Sequence, residues 1–334
     1  MRWKTAQKKV RLQRKVRLAA LTLFLIIAVI FVGNFAKALH TLFSPLSAQT
    51  ARTYSWDSNF NLNLVLTTKP LSVLSLNPVE NKIAILEIPD NAYIEVPGGF
   101  GSWKSGAIYK LGEAENPPKG AALLKNSFES FLALPIDGII EVSGQGTVSS
   151  EQFVKLLRGN PIAAISTLTN SKTDLSPVEL VKFVTGVRGV RFDKIQTFNL
   201  QDLGLLTEDF LADGTDILVG DPIKIDALLI KHFADTKILD EAATIAVLNS
   251  TGKSGLAGRK AQIITHIGGN VIIQASFNTK LEKNYVEGDQ KYPYTSKRLK
   301  QIFGSYDTLE VAPSLEQSAP ELSRASVNLI LGQQ

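Results

Sequence analysis

LSVLSLNPVENKIAILEIPDNAYI, residues 71–94, is the stretch on which the fold turns. Leu71 to Leu76 alternates apolar and small polar side chains, the period of a strand. Asn77-Pro78-Val79-Glu80-Asn81 supplies a turn, and Lys82 to Ile88 reads as the hairpin partner. Pro89-Asp90-Asn91 stops that strand, Tyr93 to Val96 is a further short one, and Pro97 to Gly101 is a loop.

Working outward, Asn61 to Leu66 alternates and predicts a half-buried strand before the hairpin. After it, Lys104 to Leu111 is a short amphipathic segment. Lys119 to Leu134 is a helix whose apolar face is Ala122, Leu123, Phe128, Phe131 and Leu132. Ile136 to Val142 follows as a strand, and Val148 to Leu157 as a helix opened by Ser149 or Ser150. Ser176-Pro177-Val178-Glu179 is a helix start, with Pro at the first helical position and Glu in the first turn. Strands at Lys194 to Leu200 and Ile217 to Val219, and a helix at Ile223 to Phe233, complete a mixed order that predicts a layered α/β domain over residues 56–240. Residues 241–334 read as a smaller β-α-β-α-β-β domain. Its expected strands are Ala243 to Leu248, Val271 to Phe277, Leu309 to Val311 and Ser326 to Leu331; its helices are Leu256 to Ile267 and Thr295 to Phe303.

Upstream, Leu18 to Ala36 carries no charge, and its polar side chains are Thr22 and Asn34. Its length as a helix, about 28 Å, approaches the roughly 30 Å hydrocarbon thickness of a bilayer. The seventeen residues before it hold eight Lys or Arg and no acid. Such a tail stays in the cytoplasm, so the rest of the chain is expected outside the membrane, behind a juxtamembrane linker at residues 37–55. Ala36-Lys37-Ala38 also has the small-x-small spacing of a cleavage site. The apolar run exceeds the usual 7–15 residues of a signal peptide, and an uncleaved single-pass anchor is the reading adopted. A buried core helix is the other alternative, and this segment lacks the polar face such a helix would show to water.

The formal net charge of +5 sits in the tail: beyond residue 17 the chain has 28 Lys and Arg against 31 Asp and Glu. The outer part is therefore mildly acidic and is not expected to bind nucleic acid. The tail itself suits an orientation signal and attraction to anionic lipid. A transcriptional regulator would need a folded DNA reader, for which seventeen residues leave no room. There is no cysteine, and His40, His232 and His266 show no ligand spacing, so no metal site is expected.

Gly252, Gly255 and Gly258 lie between a strand and a helix, where backbone N–H groups can meet an anion. The G-x-x-G-x-x-G spacing departs from the dinucleotide fingerprint, and the first acid after Gly258 is Glu282. A tight turn with close helix packing explains the same glycines. Asn249, Thr251, Gly252, Gly255 and Arg259 form the possible anion or ligand loop.

Thr244 to Val271, TIAVLNSTGKSGLAGRKAQIITHIGGNV, resembles the LytR C-terminal domain in its apolar strand, Asn-x-Thr turn, Gly-Leu-Ala helix start and Gly-x-x-Val. Asn249, Thr251, Gly252, Gly255, Leu256, Ala257, Gly269 and Val271 hold those places, and Ala325 to Gly332 resembles the closing strand. The preceding region resembles an eroded LytR-CpsA-Psr domain. Leu71 to Ile94 has its strand, Asn-Pro turn, strand and Ile-Pro stop; Lys119 to Val142 and Ser176 to Leu200 have its helix–strand pairs. The resemblance implies an envelope protein whose active relatives move a glycopolymer phosphate from a polyprenyl pyrophosphate to peptidoglycan.

That chemistry needs Mg²⁺ on carboxylates and arginines on the phosphates. Where the family has Ile-Pro-Arg-Asp, this chain has Ile88-Pro89-Asp90-Asn91; where it has Asp-Thr, this chain has Lys69-Pro70. Between Val142 and Ser176 the only arginine is Arg158. Arg188, Arg191 and Lys194 fall in a different part of the pattern, as an anion patch or a solvated surface. Asp90 is the possible residual acid, against its reading as a strand-end residue. The expectation is thus a non-catalytic envelope protein, partnered by the bilayer and by peptidoglycan or glycopolymer, with no cofactor. The alternative is a phosphotransferase with Mg²⁺, in which Lys69, Lys104 or Arg158 joins Asp90.

Overall fold

The computed structural model describes residues 22, 50, 52, 54–142, 148–160, 164, 167, 168, 171–288, 290–304 and 324–333. The tail, the rest of the expected anchor and the strand expected at Leu309 to Val311 lie outside them. Among the described residues no helix is long and apolar enough to cross a membrane.

The opening hairpin forms as read. Strands β1 (Leu62–Leu66), β2 (Leu71–Asn77) and β3 (Lys82–Ile88) run antiparallel in sequence, with Leu71 opposite Ile88 and Asn77 opposite Lys82. A two-stranded ribbon follows, β4 (Tyr93–Val96) with β5 (Gly101–Lys104), and then helices α1 (Ser105–Glu113) and α2 (Gly120–Leu132). Strand β6 (Gly138–Glu141) returns to pair in parallel with β1. Helix α3 (Ser150–Arg158), β7 (Lys172–Thr173), α4 (Pro177–Gly189) and β8 (Ile195–Asn199) complete a six-stranded sheet of order β7-β6-β1-β2-β3-β8.

β1 is buried at every position, which corrects the half-buried reading. Alternation within it sorts side chains between two covered faces, so even Asn63 is enclosed. Leu62, Leu64 and Leu66 face α3 and α4, whose Phe153, Leu157, Leu180 and Phe183 cover them. Val65, with Val73 and Leu86, faces α2 and the second sheet. Each fully buried Leu or Val contributes about 1.5–3 kcal/mol.

A hairpin of β9 (Leu206–Phe210) and β10 (Asp216–Gly220), then α5 (Pro222–His232) and α6 (Thr236–Glu241), leads to the second sheet. It comprises β11 (Thr244–Asn249), α7 (Leu256–His266), β12 (Asn270–Ser276), β13 (Tyr285–Gly288), α8 (Pro293–Phe303) and β14 (Val327–Leu331), in strand order β12-β11-β14-β13. The described order is β-α-β-β-α-β. The expected order omitted β13, because YVEG is too short to show a period. β7 and α6 went unread because they are short, and β5 and β9 because their side chains are almost all exposed, so no buried face marks them.

One hydrophobic cluster joins both sheets, running from Val73 and Phe128 to Ile245, Val247 and Leu299. Polar contacts reinforce it. His266 Nδ1 donates to the carbonyls of Leu132 and Ala133, each at 2.9 Å, and Nε2 lies 3.2 Å from Asp226 Oδ1. Glu241 accepts from the Tyr294 and Thr295 backbone N–H groups, fixing the first turn of α8.

Candidate functional site

β1, β3, β6 and β8 all run the same way, so their carboxyl ends share one edge of the six-stranded sheet. In open α/β sheets that edge is where ligands bind. Here it carries Lys69, Glu87, Asp90, Glu141 and, from β7, Lys172.

Consecutive strand residues point to opposite faces, so Glu87 and Glu141 are held apart. Glu87 Oε1 accepts from Ser150 Oγ at 2.6 Å, at the start of α3, and Oε2 from Asn199 at 3.4 Å. Ser149 caps that helix in a capping box with Gln152. On the other face Glu141 accepts from Tyr109 of α1 at 2.8 Å and pairs with Lys172 at 3.9 Å. Burial, then Glu141 and Glu113, push the Tyr109 phenol well above its ordinary range.

Asp90 is exposed. Its carbonyl accepts from Gly106 N–H at 3.0 Å, and a Cβ at Gly106 would lie 3.0 Å from the Asp90 Cβ, so a larger residue there would crowd the start of α1 against Asp90. Among the described residues, no cation pairs with Asp90. Lys69 is exposed on the neighbouring hairpin, its N–H donating to Val148 O at 3.2 Å. Lys104 helps lower the Asp213 carboxyl, after the hydrogen bonds from Thr215. Arg158 sits at the far end of α3, its guanidinium 3.9 Å from the Phe192 ring centroid, beside the amino end of β8. That is the opposite edge from Asp90. Arg188, Arg191 and Lys194 gather there too, bonded to Gly159 O, Asp193 and Glu80 O. The carboxyl edge thus mixes acids with Lys69 and Lys172, and among the described residues no arginine stands on it.

The glycine-rich turn lies at the carboxyl edge of the second sheet. Asn249 donates to Lys253 O at 2.7 Å, and its Oδ1 accepts from Thr251 N–H and Oγ. Thr251 Oγ accepts from Lys253 N–H at 3.1 Å. These side chains hold the turn together. Gly252 and Gly255 adopt φ of 76° and 73°, the left-handed region. Arg259 is exposed one turn into α7, its backbone N–H bonded to Gly255 O.

Nothing in the chain's local pattern announces the buried polar junction formed where Arg52 and residues 54–56 meet the body. Arg52 pairs with Glu179 at 2.7 Å. Asp137 Oδ1 accepts from Arg298 at 2.9 Å and from Tyr54, while Oδ2 accepts from Asn63 N–H at 2.7 Å. Burial opposes the charge on Glu179, but the Arg52 hydrogen bond and the N–H groups of Trp56 and Ser176 overcome it and pull the carboxyl down to about 2. Apart from Ser176, these partners are 74 to 161 residues apart, and no local pattern announces such pairs.

No protein-family model matches the chain, and no curated protein does. Similar solved structures include the Bacillus subtilis LytR-CPS2A-psr family protein YwtF (TagT) with bound octaprenyl pyrophosphate lipid, 14% identical with a TM-score of 0.37 over 53% of this chain and 91% of that one. B. subtilis TagV is 16% identical with a TM-score of 0.36 over 52% and 96%. A transcriptional regulator from Enterococcus faecalis is 13% identical with a TM-score of 0.36 over 63% and 88%.

Proposed function

We propose that this chain is a membrane-anchored, outward-facing envelope protein that binds or scaffolds cell-wall components without catalysing transfer. The basic tail and apolar run at residues 1–36 support the anchor, and the sequence resemblance at Leu71 to Ile94 and Thr244 to Val271 supports the envelope setting. The observation that carries the non-catalytic reading is the environment of Asp90. A polyprenyl pyrophosphate is a dense anion, and gripping it needs clustered cations. Asp90 stands exposed on an edge shared with Glu87, Glu141, Lys69 and Lys172, with no ion-pair partner among the described residues and no arginine beside it, and Arg158, which a rearranged site would recruit, lies at the other edge.

The test is co-sedimentation of the purified full-length chain, in detergent, with isolated peptidoglycan and with purified wall glycopolymer. Retention on either supports the proposal, and release from both contradicts it. Protease added outside intact cells should digest the body and spare the tail; protection of the body would contradict the orientation.

A further inference from the structure

Helix α4 is apolar on both sides, and the body covers one of them. Leu180, Phe183 and Val187 are buried against the six-stranded sheet. Val178 and Val181 are 63% and 67% exposed. With Thr185, also exposed, they lie at i, i+3 and i+7, one face of the helix. A helix on the surface of a water-exposed body ordinarily turns charged and polar side chains outward on that face. The exposure continues beside it, at Leu156 of α3, which covers the same face of the sheet, and at Phe192, just past the end of α4. A lone exposed apolar residue is ordinary, but such a group in one layer marks a contact surface.

Charge and position single out what it contacts. Residues 150–158 and 176–194 hold six Lys or Arg against three acids, whereas the chain beyond residue 17 has 28 against 31. One of the three acids, Glu179, is buried and paired with Arg52. Lys182 and Arg188, both half-buried, flank the exposed valines. The chain also enters the body here. Arg52 meets the first turn of α4 through Glu179 at 2.7 Å, and Lys182 Nζ donates to Trp56 O at 3.4 Å. Thirteen residues separate the expected anchor from Thr50, and even fully extended they span at most about 45 Å.

We propose that the α3–α4 layer rests on an anionic bilayer surface, its valines and Phe192 entering the headgroup boundary and its cations facing the lipid phosphates. The six-stranded sheet then stands behind that layer, with α5 and the second sheet on the side away from the lipid, where their core cluster lies. This inference rests on the anchored reading above, because the short linker supplies the proximity.

The chain has no cysteine, so one introduced thiol carries one environment-sensitive dye. The test reconstitutes the full-length chain, labelled at Val181→Cys, into vesicles of phosphatidylcholine with phosphatidylglycerol. The dye is expected to shift to the blue and to be quenched by lipids bearing a nitroxide near the top of the acyl chain. The same dye at Ile223→Cys, 80% exposed on α5 across the sheet, should keep its aqueous emission. Omitting phosphatidylglycerol, or adding Val178→Asp, should reduce the quenching at position 181, with circular dichroism establishing that each variant is folded. A dye at Leu25→Cys reports the anchor separately. Quenching at position 25 without quenching at 181 would overturn this inference and leave the anchor standing; no quenching at either would remove both. Equal quenching at 181 and 223, or quenching indifferent to the anionic lipid, would also overturn it. Disulfide cross-linking of unlabelled Val181→Cys chains to one another would give the face to a second copy and overturn it as well.

Discussion

Arg52 and Glu179 meet across 127 residues with side chains 10% and 2% exposed. Removing one member of such a pair strands the other charge in the interior. Arg52→Ala is therefore expected to destabilise the fold by about 3–5 kcal/mol, read as a lower urea midpoint; a change within about 0.5 kcal/mol would show that the pair is not formed. Glu179 also sets a pH signature. Its carboxyl lies at about 2, below its ordinary 4.5. A depressed carboxylate contributes stability that is complete above the ordinary value and fades as pH falls towards the folded one. Stability should drop between about pH 4.5 and 2, and Glu179→Gln should flatten that limb. An unchanged limb in the variant would contradict the assignment. Glu129 has the opposite sign. Burial raises its carboxyl, so its charge works against folding at neutral pH. Glu129→Gln is expected to raise the melting temperature at pH 7, and a fall would show that its carboxylate is better compensated than the geometry indicates.

Among the elements, the readable ones carried a local signal. Ser176-Pro-Val-Glu179 announced α4, and the capping box formed with Ser176 Oγ accepting the Glu179 N–H and Glu179 accepting the Ser176 N–H. Ser176→Ala should lose about 1 kcal/mol in chemical denaturation, and no loss would contradict the cap. The hairpin at Leu71 to Ile88 was equally plain, since its alternation and Asn-Pro turn agree with each other. β7 was invisible because a two-residue strand exists only through its partner, and β13 because YVEG carries a single buried side chain, Val286, between polar and half-buried ones. Close helix contact was illegible too. A Cβ on Gly112 would fall 2.7 Å from Gly120 Cα, so α1 and α2 meet backbone to backbone. Gly112→Ala is predicted to cost about 1–3 kcal/mol through overpacking, measured by thermal melting against a Gly189→Ala control, where nothing lies within 4 Å.

Taken whole, the molecule separates its charges in a way that explains the functional reading. Arginines that sequence alone could not place lie far from Asp90: Arg158, Arg188 and Arg191 at the amino edge, Arg52 and Arg298 locked into ion pairs at the entry junction. The candidate acid was legible as a residue; that no arginine stands beside it and no cation pairs with it among the described residues depended on helix directions and strand order, which only the folded chain fixes. The two sheets share one core, and Tyr54, bonded to Asp137 before β6 and to Arg298 of α8, is tied to both at once. What separates a scaffold from a transferase is whether this body holds its ligand or passes it on. The direct measurement incubates the full-length chain with Mg²⁺, peptidoglycan and a polyprenyl-pyrophosphate-linked glycopolymer labelled in its sugar, and follows the label. For a non-catalytic body the label is expected to stay on the lipid; label accumulating in peptidoglycan in proportion to the protein added would overturn that reading.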